Sequence, residues 1–165
     1  MTEIIKATEK DIALIHKLGC EVFPETYAKI LEPEQIDYML DWMYSEKNVA
    51  KQMSEGHAYY IGYCDGEPFG YLSVRQEASD TFHLEKIYLR KKFQGKKLGA
   101  LLFERAKSHI LEIHPNPCRM ILNVNRENKA YSFYKHMGMR ELYSGDFPIG
   151  NGYFMNDYIM GLDLP

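Results

Sequence analysis

Apolar residues recur at helical spacing through the first third of the chain and at alternate positions from about residue 57 onward. Residues 3–7 alternate weakly and predict a short strand. Thr8 with Asp11 three residues later forms a capping-box variant that opens a helix, whose apolar stripe is Ile12, Ile15 and Leu18 and whose expected stop is Phe23-Pro24. Pro33 suits a first helical position, with Ile36, Met39, Leu40 and Met43 following, and Ser45 caps a third helix through Met53. Strands are then predicted at 57–64, 68–75 and 81–90, joined by the Asp65-Gly66 hairpin turn and a turn at 78–80. Leu98, Leu101, Leu102, Ala106, Ile110 and Ile113 mark one face of a long helix that Pro115 and Pro117 close. A short buried strand follows at 120–124. Asn128 caps a helix carrying Ala130, Phe133, Tyr134 and Met137, with Gly138 as its C′ residue. Two last strands, 139–144 and 153–162, flank a loop at 147–152. The pattern predicts one mixed α/β domain over 1–165, rich in helix over 1–56 and in strand over 57–165.

Composition narrows the function classes. The 165 residues are 45% hydrophobic with a net charge of −3, which suits a packed core and gives no support to nucleic-acid binding. No apolar run approaches the roughly 20 residues that cross a bilayer, and the N-terminus lacks a signal-peptide core. Cys20, Cys64 and Cys118 stand far apart, which argues against a disulfide framework or zinc site; the expected location is the cytoplasm. His16, His57, His109, His114 and His136 show no metal-ligand spacing, so no metal is expected.

Candidate chemistry concentrates at residues 84–113, where a glycine-bearing loop delivers a strand into a helix. Helix N-termini present free N–H groups and positive potential to anions. Arg90, Lys91, Lys92, Lys96 and Lys97 supply five of the 20 cationic side chains within eight positions of a net-acidic chain. A phosphate-bearing ligand accounts for that concentration; the plain alternative is a solvated basic turn. Walker and dinucleotide glycine patterns are both absent. The stretch Gln94-Gly95-Lys96-Lys97-Leu98-Gly99 instead resembles motif A of the GCN5-related N-acetyltransferases (GNAT), Arg/Gln-x-x-Gly-x-Gly/Ala, with Lys97 in place of the middle glycine. Residues 125–139 resemble motif B: Ala130, Tyr134 and Gly138 match in spacing, Met139 replaces the usual aromatic, and the asparagine is displaced, Glu127 standing between Asn125 and Asn128. The two motifs and their strands cover 81–162. A finer resemblance, to bacterial polyamine acetyltransferases, rests on Phe23-Pro24-Glu25-Thr26-Tyr27, the 84–94 segment, residues 133–138 and the closing 157–160.

The resemblance implies a mixed, mostly antiparallel sheet of about seven strands, helices on both faces, and strands 4 and 5 splayed. It implies an enzyme moving the acetyl group of acetyl-CoA to a primary amine, through a tetrahedral intermediate. In the family, loop N–H groups hold the pyrophosphate, here Gln94, Gly95, Lys96, Lys97, Leu98, Gly99 and Ala100. The splayed strand, here Ile87, Tyr88 and Leu89, pairs with the pantetheine, and an N–H near Ile87 serves as oxyanion donor. Asn125 or Asn128, with Tyr134 and Lys135, completes the cofactor set. An alkyl ammonium with pKa near 10.4 is neutral in only about one molecule in 10³ at pH 7, so a base is useful. His83 falls where several family members carry a catalytic glutamate, and Glu85 lies two residues on, hence on the same strand face; either relays the proton, or each belongs to an ordinary cross-strand pair. Tyr134 takes the family's tyrosine position, where it protonates the leaving thiolate; a core aromatic is its plain alternative. Helices over 1–56 wall the acceptor side, with Phe23, Glu25 and Tyr27 as substrate candidates. Glu21, Glu25, Glu32, Glu34, Asp37, Asp41 and Glu46 there face only Lys29, an acidic rim suited to a small polyamine such as spermidine. Peptide N-terminal or aminoglycoside acetylation, a non-catalytic acyl-CoA sensor and a generic nucleotide-binding module stay open. Partners are expected to be a small-molecule amine, no nucleic acid and no membrane; homodimers are common in the family, with the 147–152 loop a candidate contact.

Overall fold

A computed structural model describes residues 1–165. Its elements are β1 (Thr2–Lys6), α1 (Ile12–Tyr27), α2 (Pro33–Tyr44), α3 (Glu46–Ser54), β2 (Ala58–Cys64), β3 (Glu67–Ala78) and β4 (Thr81–Leu89). They continue with α4 (Leu98–Ile113), β5 (Cys118–Asn125), α5 (Ala130–His136), β6 (Arg140–Gly150) and β7 (Tyr153–Leu164). Local chemistry sets many of these ends. The Thr8–Asp11 box caps a 3₁₀ turn that runs straight into α1, and Ser45 Oγ accepts from Asn48 N at 3.2 Å to open α3. Asp65 and Gly66 both take positive φ, as a two-residue hairpin turn requires. No helix is long and apolar enough to cross a membrane.

The seven strands form one sheet in the order β1-β2-β3-β4-β5-β7-β6. All pairs are antiparallel except β4 with β5, which are parallel and bonded only at Thr81↔Arg119, Phe82↔Met120 and His83↔Ile121. Beyond His83 the two strands part. β4 stays with β3 and β5 with β7, so the β5-facing main-chain groups of residues 85–89 meet no strand. One apolar core fills the side of α4 and α5, with Phe82, Leu102, Phe103, Ala106 and Met120 at its centre. A second lies under α1–α3, built on Ile15, Phe23, Tyr44, Tyr59 and Tyr71.

Four expectations are corrected. Pro24 does not end α1, which continues to Tyr27 with Ala28 N donating to the Pro24 carbonyl at 2.8 Å. A helical proline costs about 3 kcal/mol, and burial of Val22, Phe23 and Tyr27 on one face offsets it. Leu101 and Ile113 are exposed on α4, while Phe103 and His109 turn inward, His109 Nδ1 meeting Tyr60 Oη at 2.8 Å. The 147–152 segment is not a loop: β6 runs to Gly150, and only Asn151-Gly152, both with positive φ, make the turn. Finally, β3 pairs Val74 with Leu84 but Ser73 with Lys86, leaving Glu85 as the extra residue of a β-bulge. The bulge flips the face of the strand, so Leu84 and Ile87 both meet the α4-side core and Lys86 points under α3.

Lys86 is 4% exposed and donates to the Met43 carbonyl at 2.7 Å, Gln52 Oε1 at 2.9 Å and the Tyr59 hydroxyl. Its ammonium sits 4.4 Å above the Tyr44 ring. Burial pushes its pKa down to about 7 from 10.5. Between these values the unfolded chain binds a proton that the folded chain has released, so stability rises with pH in that window. Near pH 10 the sign reverses, because burial keeps Tyr44, Tyr71 and Tyr88 protonated in the fold while the unfolded tyrosines ionise. Urea unfolding should therefore show the wild type gaining stability relative to Lys86→Met between about pH 7 and pH 9. A pH-independent difference would remove Lys86 as the cause.

Candidate active site

The turn from β4 into α4 is built to leave donors free. Lys91–Phe93 forms a 3₁₀ turn anchored by the buried Phe93 ring, and the Gln94 amide is spent on the Lys91 carbonyl at 3.2 Å. The amides of Gly95, Lys96, Lys97, Leu98, Gly99 and Ala100 have no main-chain acceptor, since they precede or open the helix. Gly95 has φ +82°. Lys97, the N-cap, holds the left-handed conformation at φ 62° and ψ 16°. The lysine thus adopts the geometry for which the motif uses glycine, at a strain of roughly 1–2 kcal/mol. Lys97→Gly should raise stability by up to about 1 kcal/mol, since glycine's extra unfolded-state freedom cancels part of the relief. Acetyl-CoA affinity should change little, because the amides remain. Denaturant unfolding and calorimetry check both, and a tenfold weaker complex would show that the lysine side chain itself binds.

These amides open onto a cleft of about 740 Å³ between the parted halves of β4 and β5. Ile87, Tyr88 and Leu89 line one wall; Leu122, Asn123 and Val124 line the other. Gln94, Gly95, Lys97, Gly99 and Ala100 close the α4 end, and Asn128, Ala130, Phe133, Tyr134 and Met137 contribute from α5 and its entry. The α5 start is fixed locally: Ala130 N donates to Asn128 Oδ1 at 2.9 Å. Its end is fixed by Gly138, φ +102°, with Gly138 N bonding the Lys135 carbonyl and Met139 N the Tyr134 carbonyl, each at 3.0 Å. Between these caps Tyr134 is buried against Phe103 and Phe133. Burial, reinforced by the neighbouring Tyr27, raises its hydroxyl pKa, so Tyr134 stays protonated as a donor. Tyr27 Oη lies 3.5 Å from Tyr88 Oη, bringing α1 onto β4.

The proposed base residues separate. Glu85 lines the cleft, its carboxylate ion-paired with Arg75. His83 does not line it; its Nδ1 meets Glu77 Oε1 at 3.1 Å and stands 3.8 Å from Glu85 Oε1. Asn125 is buried and accepts from Glu127 N at 2.9 Å, which shapes the β5–α5 turn and keeps it out of the cleft. Lys96 and Lys135 are exposed outside the lining, near the Phe93 and Tyr131 rings. The Leu98 side chain belongs to the core, leaving only its amide at the loop. Of the substrate candidates, Tyr27 lines the cleft, Phe23 is buried behind it against Tyr27 and Tyr88, and Glu25 is exposed away from it. Thr26, Asn123, Lys129, Phe133, His136 and Met137 also line the cleft; Thr26, Phe133, His136 and Met137 lie in stretches that carry the finer resemblance without having been singled out, and Asn123 and Lys129 carried no signal in the sequence.

A free-amide turn feeding a long apolar-walled cleft fits a diphosphate joined to an extended arm. Comparisons agree. Residues 27–152 match the acetyltransferase (GNAT) domain family. A protein of Lactobacillus delbrueckii subsp. lactis described as an uncharacterized N-acetyltransferase in the pepI 3′ region is 29% identical over 157 residues, 90% of each chain. The PaiA N-acetyltransferase of Thermoplasma acidophilum, solved in complex with coenzyme A, superposes with a TM-score of 0.80 at 22% identity over 99% of both chains. A spermidine N-acetyltransferase SpeG K23-Q34 chimera from Vibrio cholerae and hSSAT gives a TM-score of 0.71 at 18% identity, over 98% of this chain and 94% of that one. The chain belongs to the GNAT acetyltransferase family, as an acyl-CoA-dependent N-acetyltransferase with acetyl-CoA as its co-substrate.

Proposed function

We propose that the chain acetylates a primary amine of a small polyamine such as spermidine, by direct attack on the thioester. The observation that carries this reading is the convergence of a protonated, buried Tyr134, the carboxylate of Glu85 and a turn of free amides on one cleft. Acetyl-CoA supplies the activated acyl group. The amides of residues 95–100 and the α4 dipole hold its diphosphate. The open edge of β4 at Ile87–Leu89 aligns the extended arm as an added strand would, and a main-chain N–H near Ile87 meets the oxyanion of the tetrahedral intermediate. Glu85, directly or through water, takes the amine proton, with His83 and Glu77 behind it. Tyr134 gives its proton to the departing sulfur. Helices α1–α3 wall the acceptor side, and the 57–165 portion holds acetyl-CoA.

Support for the amine class comes from exposed acidic positions at the entry to α2 and along it, Glu32, Glu34, Asp37 and Asp41, and from the likeness to the spermidine N-acetyltransferase chimera. Of the two departures behind a non-catalytic sensor reading, Lys97 for glycine and the displaced asparagine, the first leaves the turn in its left-handed form. Thiol release from acetyl-CoA should be fastest with spermidine in a panel that includes spermine, a peptide with a free N-terminus and an aminoglycoside. Acetylation of the peptide or aminoglycoside with spermidine untouched overturns the acceptor. Thermal stabilisation by CoA without turnover on any amine would favour the sensor.

A further inference from the structure

Asp157 of β7 is 3% exposed, and its Oδ1 has no hydrogen-bond partner. Oδ2 accepts from Asn123 Nδ2 at 3.1 Å. No cation pairs with it: the nearby Arg126 is occupied by Asp146 Oδ1 at 2.7 Å and by the Gly145 carbonyl at 3.3 Å. An orphaned buried carboxylate oxygen is costly and calls for a donor. Alternation along β7 turns Asp157 to the same side as Met155, which packs in the core under α1 and α2. Its negative charge reaches Tyr27, whose hydroxyl it pushes upward together with burial. Asp157 does not itself line the cleft, but Asn123, which it accepts from, and Tyr27, which feels its charge, both do, so its carboxylate lies against the back of the cleft wall.

We propose that Asp157, with Asn123 and Tyr27, holds the second, non-reacting ammonium of a diamine or polyamine acceptor. The inference rests on the acetyl-transfer reading for the identity of the cleft. The attacking nitrogen must be neutral, and on the reading above its proton already goes to Glu85. The charge of Asp157 therefore suits the other end of the acceptor. A charge-assisted hydrogen bond from an ammonium would satisfy Oδ1 and settle the buried carboxylate in its ionised form.

Calorimetric titration of spermidine into the CoA-loaded chain tests this without requiring turnover. Asp157→Asn should weaken spermidine at least tenfold, and the wild type's preference for 1,3-diaminopropane over propylamine in kcat/KM should collapse in the variant. Equal spermidine affinity in both proteins, no spermidine binding by the wild type, or a diamine preference that survives the substitution overturns the proposal. If the variant does not fold, a crystal structure of the wild type with CoA and spermidine decides: an ammonium nitrogen within hydrogen-bond distance of Asp157 supports it, and any other seat refutes it. Acetyl transfer to a peptide alone, with spermidine still bound at Asp157, would sink the acceptor reading and spare this site.

Discussion

Tyr134→Phe should lower kcat well over tenfold and leave the Kd for acetyl-CoA nearly unchanged. The phenol contributes two separable things. Its ring packs against Phe103 and Phe133 at centroid distances of 6.5 and 5.5 Å, and phenylalanine preserves that. Its hydroxyl, kept protonated by burial, is the donor nearest the departing sulfur on this reading, and phenylalanine removes it. General acid catalysis is worth typically 10²–10⁴-fold, and the easy departure of a thiolate puts this case at the lower end. Steady-state thiol release and calorimetry separate the effects. Wild-type turnover in the variant would take Tyr134 out of the mechanism, and a large loss of acetyl-CoA affinity would make its role one of binding.

The second large effect belongs to Phe103→Ala, which should lower the melting temperature by on the order of 10 °C. Phe103 is fully buried on α4 and supports α5 from behind, its ring 6.3 Å from Phe133 and 6.5 Å from Tyr134. Truncating a core phenylalanine costs about 3–5 kcal/mol through lost transfer energy and the cavity left behind. That cavity would open under the wall that carries Tyr134, so kcat should fall as well, while the loop amides, about one turn away at the start of the same helix, keep acetyl-CoA binding closer to wild type. Calorimetric melting that moves by less than about 3 °C would mean that the core closes over the gap.

Features set by neighbouring residues could be read directly from the chain. The caps at Thr8, Ser45 and Asn128, the Asp65-Gly66 hairpin and the Gly138 stop each depend on bonds reaching only a few residues. The anion-ready turn was legible for the same reason: glycine, basic residues and a helix start are adjacent. What escaped depends on partners far away in sequence. The bulge at Glu85 exists only relative to β3, and it decides that Glu85 meets the cleft while His83 turns to Glu77. Pro24 is carried through a helix by a core assembled from α1, α2 and β3. Pro148 sits within β6 because that strand is bonded on one side only, where a missing N–H is tolerated. Asn125, chosen from motif spacing, is drawn instead into holding the turn before α5, and Asp157 gains its meaning from Asn123, 34 positions earlier.

The parting of β4 from β5 after His83 has a thermodynamic corollary. Most sheets carry their unsatisfied edges at the rim, but this one carries a pair at its middle, between halves joined beyond that point only through the cores on their two faces. An extended molecule lodged there fastens those halves to each other. Melting should consequently climb with its concentration, by about 2.7 kcal/mol of added stability at a hundredfold excess over Kd. The rise should persist in variants that bind but cannot turn over.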